Sequence, residues 1–267
     1  MTVEPDSLKT NSADQTIRSQ GSRIISRVLP SAVRLWLHAQ VERVEDLDFR
    51  IEGSDRQILS GYIPKVFIAA RRIVYQGLYL SQARLNAAEI RINLRQVLRG
   101  KPFRLLESIP VMGEIVLEEA DLNASLKAPL LIGGLNQFLV ALFQSDGFSD
   151  SLSELMGALL KGGTPTFQDA KAVVGADQLA LSLSPVSNPG SPSNTPPVVI
   201  RTSLQIRAGH ILILKHPHWL PRLKARQGFP LKDLDGFELD LGPEVDIQQL
   251  RLETGQIICC GRINVVP

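Results

Sequence analysis

The residues here that could do chemistry are four histidines, two cysteines and a run of carboxylates. His216 and His218 stand two apart in HPHW and could share a metal only with a third ligand from elsewhere. Without one they read as polar loop histidines beside a tryptophan. Cys259 and Cys260 are adjacent, too close for a loop-closing disulfide or a CxxC knuckle. In a strand they would face opposite sides, and their scarcity suits a reduced, intracellular protein. Asp233, Asp235, Glu238, Asp240, Glu244 and Asp246 lack calcium-loop spacing and read as a solvated acidic edge. In Lys161-Gly162-Gly163-Thr164 the glycines follow the lysine, the wrong order for a phosphate cradle. No G-x-S-x-G elbow, HExxH or dinucleotide fingerprint occurs. The expectation is a protein without catalytic residues, metal or cofactor, not an enzyme.

Two features remain. One is aliphatic surface: 39 of 267 residues are leucine, against 5% aromatics. The other is basicity beside apolar residues. Arg84, Arg91, Arg95, Arg99, Lys101 and Arg104 face a single Glu89 over 84–104. KHPHWLPRLKAR joins Lys215, Arg222, Lys224 and Arg226 to Trp219 and Leu220. Tryptophan favours the headgroup layer, and each nearby cation contributes about 1 kcal/mol on an anionic leaflet. A net charge of +2 and the lack of interleaved aromatics argue against nucleic acid.

The elements that must position these residues follow from periodicity. Residues 1–20 are polar and predict a disordered tail. Residues 187–197, SNPGSPSNTPP, predict a flexible surface loop. A single domain is expected over 21–267, long enough to bury roughly 70–75% of its unfolded surface. A helix is predicted over about 22–45, capped by Ser22 and kinked at Pro30. Arg23, Arg27, Arg34, His38, Glu42 and Glu45 form one charged stripe on it, so most of its girth is apolar. The period then changes to two. LDFRIEG, VFIAARRIVY, LYLSQARL, EIRINL and EIVLEE predict strands with one wetted face. A broken helical region is predicted over 121–161. Strands return at LALSLSPV, VVIRTSLQIR, HILILKH, GFELDLG, LRLET and QIICCGRINVV. The class is α+β, a curved antiparallel sheet of many strands against a few apolar helices.

The segments SRIISRVLPSAVRLWLHAQVERVEDLDFRIEGSDRQILSGYIP, RINLRQVLRGKPFRLLESIPVMGEIVLEEADLNASL and DLGPEVDIQQLRLETGQIICCGRINVVP together resemble the LmeA-like phospholipid-binding family in its cyanobacterial form. The resemblance runs from about 22 to 267. It implies a long N-terminal amphipathic helix wrapped by a highly curved antiparallel sheet, like half of a tubular lipid-binding (BPI-like) fold. It also implies acyl-chain binding in an apolar cavity without chemistry. Actinobacterial members are associated with the cell envelope. The opening MTVEPDSLKT has no apolar core, and the stretch 129–143 is too short to span a bilayer. The expected setting is therefore cytoplasmic and peripheral to a membrane.

The function expected is lipid carriage or sensing, with phospholipid or another acyl-chain lipid and a membrane surface as partners. Val28, Ala32 and Trp36 of the first helix, with Leu135, Leu139, Leu142 and Phe143, are the expected acyl-chain lining. Each methylene they bury contributes about 0.8 kcal/mol. Trp219, Leu220, Arg222, Lys224 and Arg226, or Arg91, Arg95 and Arg99, are the expected docking surface. The alternative is a structural or assembly factor with a filled core and an unidentified protein partner.

Overall fold

The computed structural model describes residues 33, 35, 38–39, 41–129, 131–133, 135, 167–185 and 197–267. Among these, runs of Val, Ile, Leu and Ala at alternate positions make twelve strands, all paired antiparallel. The first sheet joins β1 (Arg43–Glu52), β2 (Tyr62–Tyr75), β3 (Leu78–Arg91), β4 (Ile109–Glu118), β12 (Gln256–Val265) and β11 (Val245–Glu253), in that spatial order. The second runs β10 (Glu238–Asp240), β8 (Ile211–Leu220), β7 (Val198–Arg207), β6 (Gln178–Pro185) and β5 (Phe167–Gly175). The short β9 (Phe229–Pro230) pairs with β8 as well.

Turn chemistry sets the register. Gln76 and Gly77 both take positive φ, 49° and 77°, as a two-residue hairpin between Tyr75 and Leu78 requires. In β2, Arg72 has φ 48°, and there the β1 pairing shifts register. The local kink buries both Ile73 and Val74 where strict alternation would expose one.

The helices described along their whole length are short: α1 (Asp55–Leu59), α2 (Leu94–Val97) and α3 (Glu119–Ser125), with a 3-10 turn at Lys232–Leu234. This corrects the expected architecture. The described chain forms two sheets with helices of four to seven residues, not one sheet wrapped around a long helix. The helix predicted over 22–45 cannot reach 45, because β1 begins at Arg43 and pairs with Val74. Long-range pairing overrides the three-and-four spacing of the charges there. Of that segment's residues before 41, Val33, Leu35, His38 and Ala39 are described, all helical.

Smaller corrections follow. EIRINL is not a strand of its own; it ends β3 and opens α2. HPHW is not a loop, since His216, Pro217 and His218 lie within β8. β5 falls where no strand was expected. The tail 1–20, the stretch 136–166 and residues 187–196 of the Pro-Ser loop lie outside the described residues.

Buried side chains form separate clusters. The first sheet carries Ile58, Ile63, Val66, Ile90, Leu94 and Leu105 near one end, joined by Val33. Ala70, Ile73 and Ala83 lie farther along, against Val44, Leu47 and Ile115. The second sheet carries Leu183, Leu231 and Leu234.

The sheets meet through α3. The Asn123 side chain donates to the carbonyl of Ala172 (2.9 Å) and accepts from its N–H (2.8 Å). Glu119 Oε2 accepts from the N–H of Val174 (2.9 Å), and the Gly255 N–H donates to its carbonyl (2.9 Å). The outward backbone groups of edge strand β5 at Ala172 and Val174 are thus satisfied by a helix and a turn of the other sheet. On the helix's other side, Ser125 Oγ accepts from the Tyr79 N–H (2.8 Å), and Ser81 Oγ donates to Asp121 (2.6 Å).

Candidate functional site

Of the expected acyl-chain lining, Leu135 is described; Val28, Ala32, Trp36, Leu139, Leu142 and Phe143 lie outside the described residues. Leu135 is half-buried against the cluster of Leu183, Leu231 and Leu234, with Leu181, Ile200, Phe237 and Trp219 at its margin. The structure therefore brings one expected lining residue and one expected docking residue onto a single apolar face. The strands supply that face because β6 alternates Leu179, Leu181 and Leu183 with smaller residues.

Trp219 is half-buried and stacks on Phe229, ring centroids 5.8 Å apart and planes 27° apart. Phe229, which the sequence reading passed over, is 67% exposed. The signal was present: a phenylalanine between Gly228 and Pro230 just after the basic run. Leu220 is 1% exposed and belongs to the core. Arg222, Lys224 and Arg226 are exposed in the turn between β8 and β9. Arg201 braces that turn, donating from Nη1 to the carbonyl of Arg226 (3.1 Å).

The second basic segment sits at one end of the first sheet. Arg91, Arg95 and Arg99 are exposed, as are Lys101 and Arg104. Arg91 pairs with Glu107 (3.5 Å) and lies over the Tyr62 ring (5.7 Å). With Glu89 these residues line an open cleft of about 330 Å³. Buried Asn93 holds the connection in shape: its Nδ2 donates to the Pro102 carbonyl (2.9 Å), and its Oδ1 accepts from the Arg104 N–H (2.8 Å). Three exposed leucines stand on this end: Leu59 (44%), Leu98 (45%) and Leu106 (57%). The sequence reading missed them because leucine in an apolar run reads as core by default. A second open cleft of about 300 Å³ lies over Asp48, Arg50, Phe67 and Arg84.

Several of the groups capable of chemistry are held in structural contacts. His218 Nδ1 meets the His216 carbonyl at 2.7 Å, and the His216 N–H donates to Asp235 (2.7 Å). Glu238 pairs with Arg207, and Asp246 with Arg262 (3.2 Å). No group of three His, Cys, Asp or Glu suited to a metal occurs among the described residues. Cys259 pairs in register with Ile115 and Cys260 with Glu114, so the two thiols face opposite sides, as expected. Burial, then the neighbouring Cys260, pushes the Cys259 thiol above its ordinary pKa. Burial and the Glu114 carboxylate raise Cys260 likewise. Neither thiol is primed as a nucleophile. Among the described residues no helix is long and apolar enough to cross a membrane.

The chain belongs to the LmeA-like phospholipid-binding family, which it matches over residues 21–262. No curated protein and no solved structure matches it. The family is described by phospholipid binding and not by a reaction.

Proposed function

We propose that this protein carries or senses phospholipid, holding acyl chains on its apolar faces without chemistry and docking peripherally on anionic membranes. The observation that carries this reading is the family match across nearly the whole chain. The half-buried Leu135, at the margin of the buried Leu183–Leu231–Leu234 cluster, is the described position this reading assigns to the acyl chain, which needs aliphatic contact and no directional bonds. Val28, Ala32, Trp36, Leu139, Leu142 and Phe143 are the further positions that this reading assigns to acyl-chain contact. Cations at two ends of the sheets supply the attraction to phosphate headgroups.

Native mass spectrometry and solvent extraction of the purified protein test the reading. Co-purifying phospholipid, exchangeable with added labelled lipid, is the expected result. A lipid-free protein that takes up no labelled phospholipid would refute it. Capture of one stoichiometric protein partner by that lipid-free form would favour an assembly factor instead.

A further inference from the structure

The end of the first sheet that holds α1 and the 92–108 connection combines three properties. It is basic: residues 91–107 carry Arg91, Arg95, Arg99, Lys101 and Arg104 against Glu107 alone, and α1 adds one charge of each sign, Asp55 and Arg56. That glutamate is engaged by Arg91, and the other four cations make no ion pair among the described residues. It is apolar: Leu59, Leu98 and Leu106 are each 44–57% exposed. It is also held in shape. Leu94 and Leu105 are buried at 2% and 7%, the Ile92 N–H donates to the Gly61 carbonyl (2.8 Å), and Asn93 ties residues 102 and 104. Each outward leucine is thus a neighbour of an inward aliphatic residue: Leu59 adjoins Ile58, Leu98 follows Leu94 by one helical turn, and Leu106 adjoins Leu105. Such leucines are not frayed core residues. A leucine ridge ringed by unpaired cations is complementary to one surface, the interface of an anionic bilayer. Acyl carbons there accept the leucines while phosphates meet the cations.

We infer that this end is the membrane-entering tip. Leu59, Leu98 and Leu106 insert at the level of the upper acyl chains, and Arg95, Arg99, Lys101 and Arg104 lie against lipid phosphates. The inference rests on the phospholipid reading and gives it a point of contact. The other basic turn is the less suited, because its Phe229 is stacked on Trp219 and its carbonyls are occupied by Arg201.

The test is co-sedimentation with phosphatidylcholine vesicles, with and without phosphatidylglycerol. Wild-type protein should bind only the anionic vesicles, and less as salt rises. The pair Leu98→Ser and Leu106→Ser should lower partitioning about tenfold or more, since exposed leucines set insertion. Arg95→Glu with Arg99→Glu should do the same and flatten the salt dependence. Phe229→Ser should bind as wild type does. A Leu98→Trp variant should show blue-shifted emission, quenched by brominated acyl chains; it covers the case in which the serine pair unfolds. Equal binding to neutral vesicles, no binding to either, or loss only with Phe229→Ser would overturn the inference. So would an unquenched Leu98→Trp signal. Extraction of lipid from the same samples separates the two claims. Lipid-loaded protein that ignores vesicles refutes the tip alone. Lipid-free protein that docks through the leucines refutes carriage alone.

Discussion

Replacing Asn123 by alanine should loosen the joint between the two sheets. The side chain makes two hydrogen bonds to one residue, donating to the Ala172 carbonyl and accepting from its N–H at 2.9 and 2.8 Å. Ala172 is 1% exposed, so while Asn123 is in place its backbone groups have no access to water. A buried group left unsatisfied costs about 1–3 kcal/mol, which brackets the pair at about 2–6 kcal/mol. Asn123 is only half-buried, so solvent enters part of the gap it leaves and the lower end applies. Alanine also gains a few tenths of a kcal/mol in helix propensity. The net expectation is a loss of about 2 kcal/mol in urea-induced unfolding, with faster hydrogen exchange at Ala172 and Val174 and little change within β2. A loss below about 0.5 kcal/mol, or unaltered exchange at Ala172, would refute the reasoning. Glu119→Gln keeps an oxygen for the Val174 N–H and should cost far less than Asn123→Ala.

Other outcomes follow from single contacts. Glu114→Gln should raise the rate at which Cys260 reacts with a maleimide at neutral pH, because the carboxylate that holds the thiol protonated is gone; an unchanged rate would remove Glu114 as a cause. Both thiols have raised folded pKa values, so their contribution to stability is complete below the ordinary thiol range and is lost as pH climbs through it and beyond. Urea midpoints of wild type and of the Cys259→Ala, Cys260→Ala pair should therefore converge as pH turns strongly alkaline. Gly261→Ala places a methyl 2.5 Å from the Asp246 carbonyl and should cost about 1–3 kcal/mol in thermal or urea unfolding. Gly113, its partner in register, meets the Arg84 carbonyl in the same way and should respond alike.

Strand periodicity made most of the fold legible. β7 and β12 lie where alternation put them. The first helix failed because a stripe of charges at three-and-four spacing says nothing about pairing partners. β1 is fixed by β2, whose pairing residues come later in the chain. β5 escaped notice because its alternating residues, Ala170, Ala172 and Val174, are mostly small, and alanine carries no preference for strand over helix turn. At the candidate site the arginines of 91–104 and the basic turn after Trp219 were readable as charge. The leucines were not, since composition cannot separate Leu105, which points inward, from Leu106, which points out. Leu220 was read as surface for the converse reason, its basic neighbours.

The covering of β5 also bears on how copies of this chain behave together. A terminal strand of a sheet normally offers a bare row of amides and carbonyls that a foreign strand can extend. Along residues 172–174 that row is filled by an asparagine, a glutamate and a glycine from elsewhere in the molecule. Templated growth along residues 172–174 is therefore blocked until α3 lifts away. A variant that frees the helix would lose solubility before it lost its strands.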